Sequence, residues 1–233
     1  MKVIIIRHGD PDYSIDSLTE KGWREAELLA KRVSKMDIDA FYCSPLGRAQ
    51  DTAKPSLTAM QRTAETLDWM REFEGKITSP FTGKKRVSWD LPPSIWCNEA
   101  RYYDKERCFE PDLIAEGTAK GCYATVTRGV DELLERYGLI RHGMAYKGGE
   151  DKTIVLFCHF CLGITVLAYL LGISPIVAQN NFFLAPTSVT TLVTETDSEG
   201  ISHFRATMVG DISHLYVGGE PMSESGLYPD FNK

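Results

Sequence analysis

Residues 2–7, KVIIIR, form a continuous apolar run in which Val3 and Ile5 face one side of a strand and Ile4 and Ile6 the other. A strand that needs cover on both faces belongs in the middle of a helix-covered sheet. The period then changes. In LTEKGWREAELLAKRV, Trp23, Ala26, Leu29, Ala30 and Val33 recur at helical spacing. DAFYC (39–43) predicts a second strand, leading into Ser44-Pro45, where serine suits a helix N-cap and proline the first helical position. A helix over 45–67 is expected there, with Pro55 a place for a kink or break.

Residues 75–118 lose this periodicity and carry proline, glycine, basic residues and the aromatics Trp89, Trp96, Tyr102, Tyr103 and Phe109. They predict an insertion lying over a single domain that spans 1–233, with the aromatics as its packed interior. A helical stripe returns at Val126, Val130, Leu133, Leu134 and Tyr137, closed by Gly138 as a C-cap. TIVLFC (153–158) reads as another buried strand and 160–171 as another helix. SVTTLVTET and ISHFRATMV, flanking Asp197-Ser198-Glu199-Gly200, predict an antiparallel hairpin. The alternation gives an α/β class: three layers, helix–sheet–helix, around a mostly parallel sheet.

Composition narrows the partners. A net charge of −6 argues against nucleic acid, which usually selects a basic surface. No apolar run approaches the roughly 18 residues of a membrane span, and the N-terminus shows no signal-peptide pattern. Six scattered cysteines fit reduced thiols and a cytoplasmic location. The run CHFC (158–161) invites a zinc reading, but a structural zinc site needs four ligands and no second pair is nearby in sequence. Buried structural cysteines are expected instead, with no metal and no cofactor.

Three strands deliver candidate chemistry at their carboxyl ends: Arg7 and His8, then Arg48, then His159. Ligands of open α/β sheets bind outside those ends. Arginine offers a planar fork of donors to phosphate oxygens, and a neutral histidine held among arginines could attack phosphorus. Arg-His-Gly also recurs at 141–143, after the helix that ends near Gly138. In a simple parallel arrangement this copy lies toward the opposite edge of the sheet, as a coincidence. Lys84-Lys85-Arg86 reads as a solvated loop, and His203 and His214 are left unassigned.

In order, RHG after the first strand, LTEKG opening the first helix, SPLGRAQDTA at 44–53 and a late strand ending VLFCHF resemble the histidine phosphatase superfamily, also called phosphoglycerate mutase-like. The resemblance covers most of the chain outside 75–118. It implies that His8 is the nucleophile that becomes phosphohistidine and that Arg7, Arg48 and His159 bind the phosphoryl group. The superfamily's acid/base lies shortly after the second helix, where WMREFEG offers Glu72, with Glu74 second and Asp90 a third candidate. Two departures bear on the pocket. Ser14 stands near the place of a phosphate-binding asparagine, and Phe160 follows His159 where glycine is usual, which is expected to narrow the pocket. The insertion lacks mutase-like motifs. The expected activity is therefore metal-independent hydrolysis of a small phosphomonoester. Mutase-type transfer and a catalytically silent phospho-ligand module are the alternatives, and a homodimer is left open.

Overall fold

A computed structural model of the chain describes residues 1–227. Its first third contains β1 (Lys2–Arg7), β2 (Pro11–Asp12), β3 (Ser17–Leu18), α1 (Glu20–Val33), β4 (Ala40–Cys43), α2 (Gly47–Met60) and β5 (Glu65–Thr66). The middle holds β6 (Lys76–Thr78), β7 (Lys85–Val87), α3 (Pro93–Trp96), α4 (Asp112–Ala115) and α5 (Ala119–Glu135). Then come β8 (Leu139–His142), β9 (Ala145–Gly148), β10 (Thr153–Cys158), α6 (Phe160–Leu171) and α7 (Pro175–Asn181). The hairpin β11 (Val189–Thr196) and β12 (Ile201–Asp211) precedes α8 (Ser213–Gly218).

Eight strands form one sheet in the order β5-β4-β10-β1-β11-β12-β9-β8. Neighbours are parallel from β5 through β1 and antiparallel from β1 to β8, so six of the eight strands run the same way. β1 sits centrally, as its two-sided apolar run requires. Val3 and Ile5 pack into the core beneath α5 and α6, and Ile4 and Ile6 into the core beneath α1 and α2. Each fully buried isoleucine contributes about 1.5–3 kcal/mol. This is the three-layer α/β architecture expected, and no helix among the described residues is long and apolar enough to cross a membrane.

Two local expectations need correction. α2 begins at Gly47, and its N-cap Leu46 makes no side-chain cap; Ser44 has another task, described below. It ends at Met60 rather than 67, because Gln61 turns left-handed (φ 52°) and its N–H bonds back to Leu57 O and Thr58 O. Pro55 is accommodated inside the helix without ending it. Arg141 and His142 of the second Arg-His-Gly belong to the edge strand β8, four places from β1, where Arg141 pairs with Asp131 at 3.0 Å and His142 is exposed.

Residues 75–118 pack on the core beneath α5 and α6 through Ile77, Leu91, Trp96, Tyr102, Phe109 and Ile114. Tyr102 is 1% exposed while Tyr103 is 51% exposed, so most but not all of the aromatics point inward. One close approach fixes how β1 meets α1. A Cβ on Gly9 would lie 2.8 Å from Gly22 O, and one on Gly22 would lie 2.2 Å from Asp10 O. The glycines of RHG and LTEKG thus let the two backbones touch.

Candidate active site

β1 ends at Arg7, and the chain continues alongside β10 because the His8 N–H donates to Cys158 O at 2.9 Å. His8 and His159 are brought to one place by adjacent parallel strands, with ring centroids 5.2 Å apart. Both are buried, at 2% and 0% exposure. Burial and the charges of Arg7 and Arg48 pull the His8 pKa well below its usual 6.5, so the ring is neutral. Its Nδ1 lies 2.8 Å from Gly9 O, a carbonyl that can only accept. The proton therefore sits on Nδ1, and the lone pair of Nε2 is free.

His159 has the same tautomer. Its Nε2 lies 2.7 Å from Ser44 Oγ, which already accepts the Leu46 N–H at 3.2 Å. The Ser44 hydroxyl donates its one proton to Nε2, leaving Nδ1 to carry the other. That Nδ1–H is buried without a partner. Burial, together with His8 and the two arginines, pulls the His159 pKa well down and keeps this ring neutral too.

Arg7 spends its terminal nitrogens on backbone: Nη1 donates to Leu184 O at 2.7 Å and Nη2 to Ser225 O at 2.9 Å. Phe160 and Phe183 cover its guanidinium, at 5.1 and 5.8 Å from Cζ. Phe160 thus packs against the arginine, a use of that position the sequence comparison with glycine did not suggest. Arg48 projects from the first turn of α2 with Nη1 2.5 Å from Asp16 Oδ1, while Asp16 Oδ2 accepts the Gly47 N–H at 2.7 Å. The Nε groups of Arg7 and Arg48, like Nδ1 of His159, are buried N–H donors with no partner among the described residues. Buried donors are rarely left unpaired. Three of them beside a neutral histidine describe a site shaped for an anion with several oxygens.

Of the candidate carboxylates, Glu72 is the one that interacts electrostatically with Arg7. Its Oε1 accepts the Phe73 N–H at 2.8 Å and the Leu162 N–H, in the first turn of α6, at 3.0 Å. Burial raises its pKa despite these bonds and the charge of Arg7, so the protonated form is favoured more than in water. Glu74 is exposed, and only its main-chain carbonyl is engaged, by the Thr118 hydroxyl at 3.2 Å. Asp90 pairs with Arg86 at 3.3 Å.

Sequence reasoning missed three members of the surroundings. Asp16, not Ser14, reaches Arg48; Ser14 is exposed and bonds back to Asp12 Oδ1. Ser44 orients His159. Thr52 ties the halves together, accepting the Gly9 N–H at 2.9 Å and donating to Arg48 O at 2.7 Å. Ser44 and Thr52 both lie within SPLGRAQDTA, so the motif marked the place but not these roles. The described C-terminal segment lies against the site as well, with Ser223 Oγ donating to Asp10 Oδ1 at 2.5 Å. Cys158 and Cys161 are buried thiols whose pKa values burial pushes up. His203 is exposed beside Glu195, 3.5 Å away.

Residues 3–106 match the model of the histidine phosphatase superfamily (branch 1), which bears out the resemblance. Over 65 residues the chain is 43% identical to a 2,3-bisphosphoglycerate-dependent phosphoglycerate mutase from Thermoplasma acidophilum, a segment covering 23% of this chain and 32% of that protein. The match thus spans about a third of that curated relative's length. Among solved structures, a mutant phosphoserine phosphatase from Entamoeba histolytica in complex with phosphoserine aligns at TM-score 0.62 and 24% identity, over 92% of this chain and 98% of that one. A mycobacterial glucosyl-3-phosphoglycerate phosphatase aligns at TM-score 0.60 and 21% identity, over 90% and 98%. The fold is that of histidine phosphatase and mutase-type proteins.

Proposed function

We propose that this chain is a phosphatase that hydrolyses a small phosphomonoester through a phosphohistidine on His8. The observation that carries the reading is the set of three unpartnered buried donors, on Arg7, Arg48 and His159, around a histidine whose Nε2 lone pair is free. These donors take the non-bridging oxygens and neutralise charge where it concentrates during transfer. His8 Nε2 attacks phosphorus in line as the bond to the leaving oxygen breaks, and Glu72 gives that oxygen its proton. The imidazolium so formed keeps its Nδ1–H on Gly9 O, which supports the positive ring. Water then attacks the same phosphorus while Glu72 takes its proton. The P–N bond breaks, its electron pair returns to Nε2, and inorganic phosphate leaves.

Cationic and N–H donors already meet the phosphoryl oxygens in this scheme, so turnover is expected to be indifferent to chelators. A panel of phosphomonoesters, phosphoserine and 3-phosphoglycerate among them, with EDTA present throughout, tests the reading. Release of phosphate that disappears in His8→Ala supports it. No hydrolysis of any panel member would sink it. Transfer of the phosphoryl group to a sugar acid in preference to water would replace hydrolysis with mutase chemistry.

A further inference from the structure

The segment between α7 and β11 contains a β-branched residue in a conformation that such residues avoid. Thr187 has φ of +58° and is fully buried. Its backbone N–H is shared between two carbonyls, those of Arg7 at 3.1 Å and His8 at 3.2 Å. In this left-handed conformation that one N–H reaches the carbonyls of both Arg7 and His8. The next residue joins the same grip, since Ser188 O accepts the Arg7 N–H at 3.3 Å.

The threonine is itself held from the side-chain end. Its hydroxyl donates to Pro186 O at 2.7 Å and lies 3.1 Å from His214 Nε2. On the other side of that ring, Nδ1 lies 3.4 Å from Arg32 Nη1, which can only donate. His214 Nδ1 is therefore the acceptor and Nε2 the donor to Thr187 Oγ1. Arg32 is fixed in turn by Asp211, 2.6 Å from its Nη2. A directed chain results, from Arg32 through the His214 ring and the Thr187 hydroxyl to Pro186 O. Burial and the charge of Arg32 hold the His214 pKa down at about 4, so the ring stays in the neutral form this chain requires.

We propose that His214 is a positioning residue: by holding Thr187 in its left-handed conformation it clamps the backbone of Arg7 and His8, and so aims the phosphate-gripping arginine and the nucleophile. This rests on the phosphatase reading for its kinetic consequence but not for its structural one, and the experiment separates the two. The first measurement is hydrogen exchange at the Thr187 amide in wild type and His214→Ala, with melting temperature as the control for global unfolding. Loss of the clamp raises the exchange rate at Thr187 by about tenfold or more, above any change explained by overall stability. The second is the rate and amplitude of His8 phosphorylation by an aryl phosphate. His214→Ala phosphorylates about tenfold more slowly with near-full amplitude, as expected when a reacting group is misplaced by a fraction of an ångström. His214→Gln, whose amide nitrogen can replace the Nε2 donor, stays within about threefold of wild type. In Thr187→Gly, glycine adopts the left-handed backbone unaided, so adding His214→Ala there costs less than about twofold.

Unchanged Thr187 exchange in His214→Ala, or a His214→Ala loss as large in the Thr187→Gly background as alone, would overturn the proposal. A wild type that never forms phosphohistidine sinks the phosphatase reading instead, while the exchange measurement still decides the clamp. Should His214→Ala not fold alone, the Thr187→Gly/His214→Ala protein, in which glycine needs no clamp, folds and phosphorylates within about twofold of Thr187→Gly; its failure to do so overturns the proposal.

Discussion

Replacing Glu72 by glutamine separates proton transfer from every other contribution of that side chain. Oε1 accepts two backbone N–H groups, from Phe73 and Leu162, and a glutamine carbonyl can accept both. The remaining oxygen becomes an NH₂ of similar size, so the variant loses the transferable proton and little else. Burial raises the Glu72 pKa, so the fold tolerates the neutral acid better than the carboxylate. The stability this group contributes is present at low pH and lost as pH rises through its folded pKa. Glu72→Gln should therefore melt no lower than wild type at pH values above neutrality, which shows that any lost rate is not lost folding. General acid catalysis is worth roughly 10²–10⁴-fold, and that is the expected loss in the rate of His8 phosphorylation by an alkyl phosphate such as phosphoserine. With para-nitrophenyl phosphate the leaving oxygen needs no proton, so the burst of nitrophenolate should keep nearly its wild-type rate. The second step lacks its base with either substrate. Phosphohistidine should therefore accumulate in Glu72→Gln and be visible by phosphorus NMR. Rapid-quench kinetics with the two substrates is the assay. Equal slowing of the burst with both leaving groups would remove Glu72 as the acid, as would the same pattern in Glu74→Gln.

His142→Ala should keep near-normal phosphatase activity while His8→Ala abolishes it, because His142 is exposed on the edge strand β8; steady-state rates on para-nitrophenyl phosphate compare them. Gly22→Ala sets two effects against each other. Helix propensity favours alanine by about 1 kcal/mol, whereas a Cβ 2.2 Å from Asp10 O forces β1 and α1 apart. Overpacking of this kind costs about 1–3 kcal/mol, so urea denaturation should show net destabilisation, and a raised midpoint would refute the close-approach argument. The pH profile of kcat/KM has a definite sign. It rises as His8 loses its proton, well below 6.5 because of burial and the neighbouring arginines, and falls as Glu72, raised above 4.5, gives up its proton. The alkaline fall should vanish in Glu72→Gln.

What could be read from the sequence, and what could not, divides by the range of the forces involved. The two-sided burial of Ile4, Ile5 and Ile6 is set by alternation within six residues, and it placed β1 in the sheet's centre. The convergence of Arg7, His8, Arg48 and His159 was also legible, because each sits at a fixed offset from a strand end and strands of one sheet must present those ends together. Ser44 was misread because serine before a turn is equally suited to capping α2. Which use prevails depends on His159, a residue 115 positions away in the chain that needs its Nε2 satisfied in a buried site. Asp16 has the same character. Nothing local distinguishes it from the other polar residues of 10–17, and it is selected by offering one oxygen to Arg48 and another to the Gly47 amide at the start of α2. Thr187 is the extreme case. Sequence patterns predict conformations a residue prefers, and a left-handed threonine is one that it does not. It is bonded from three directions by long-range partners, His214 and the carbonyls of Arg7 and His8. Local preference yields to long-range contacts around the two buried histidines, which is why the residues hardest to read from sequence surround the ones easiest to read.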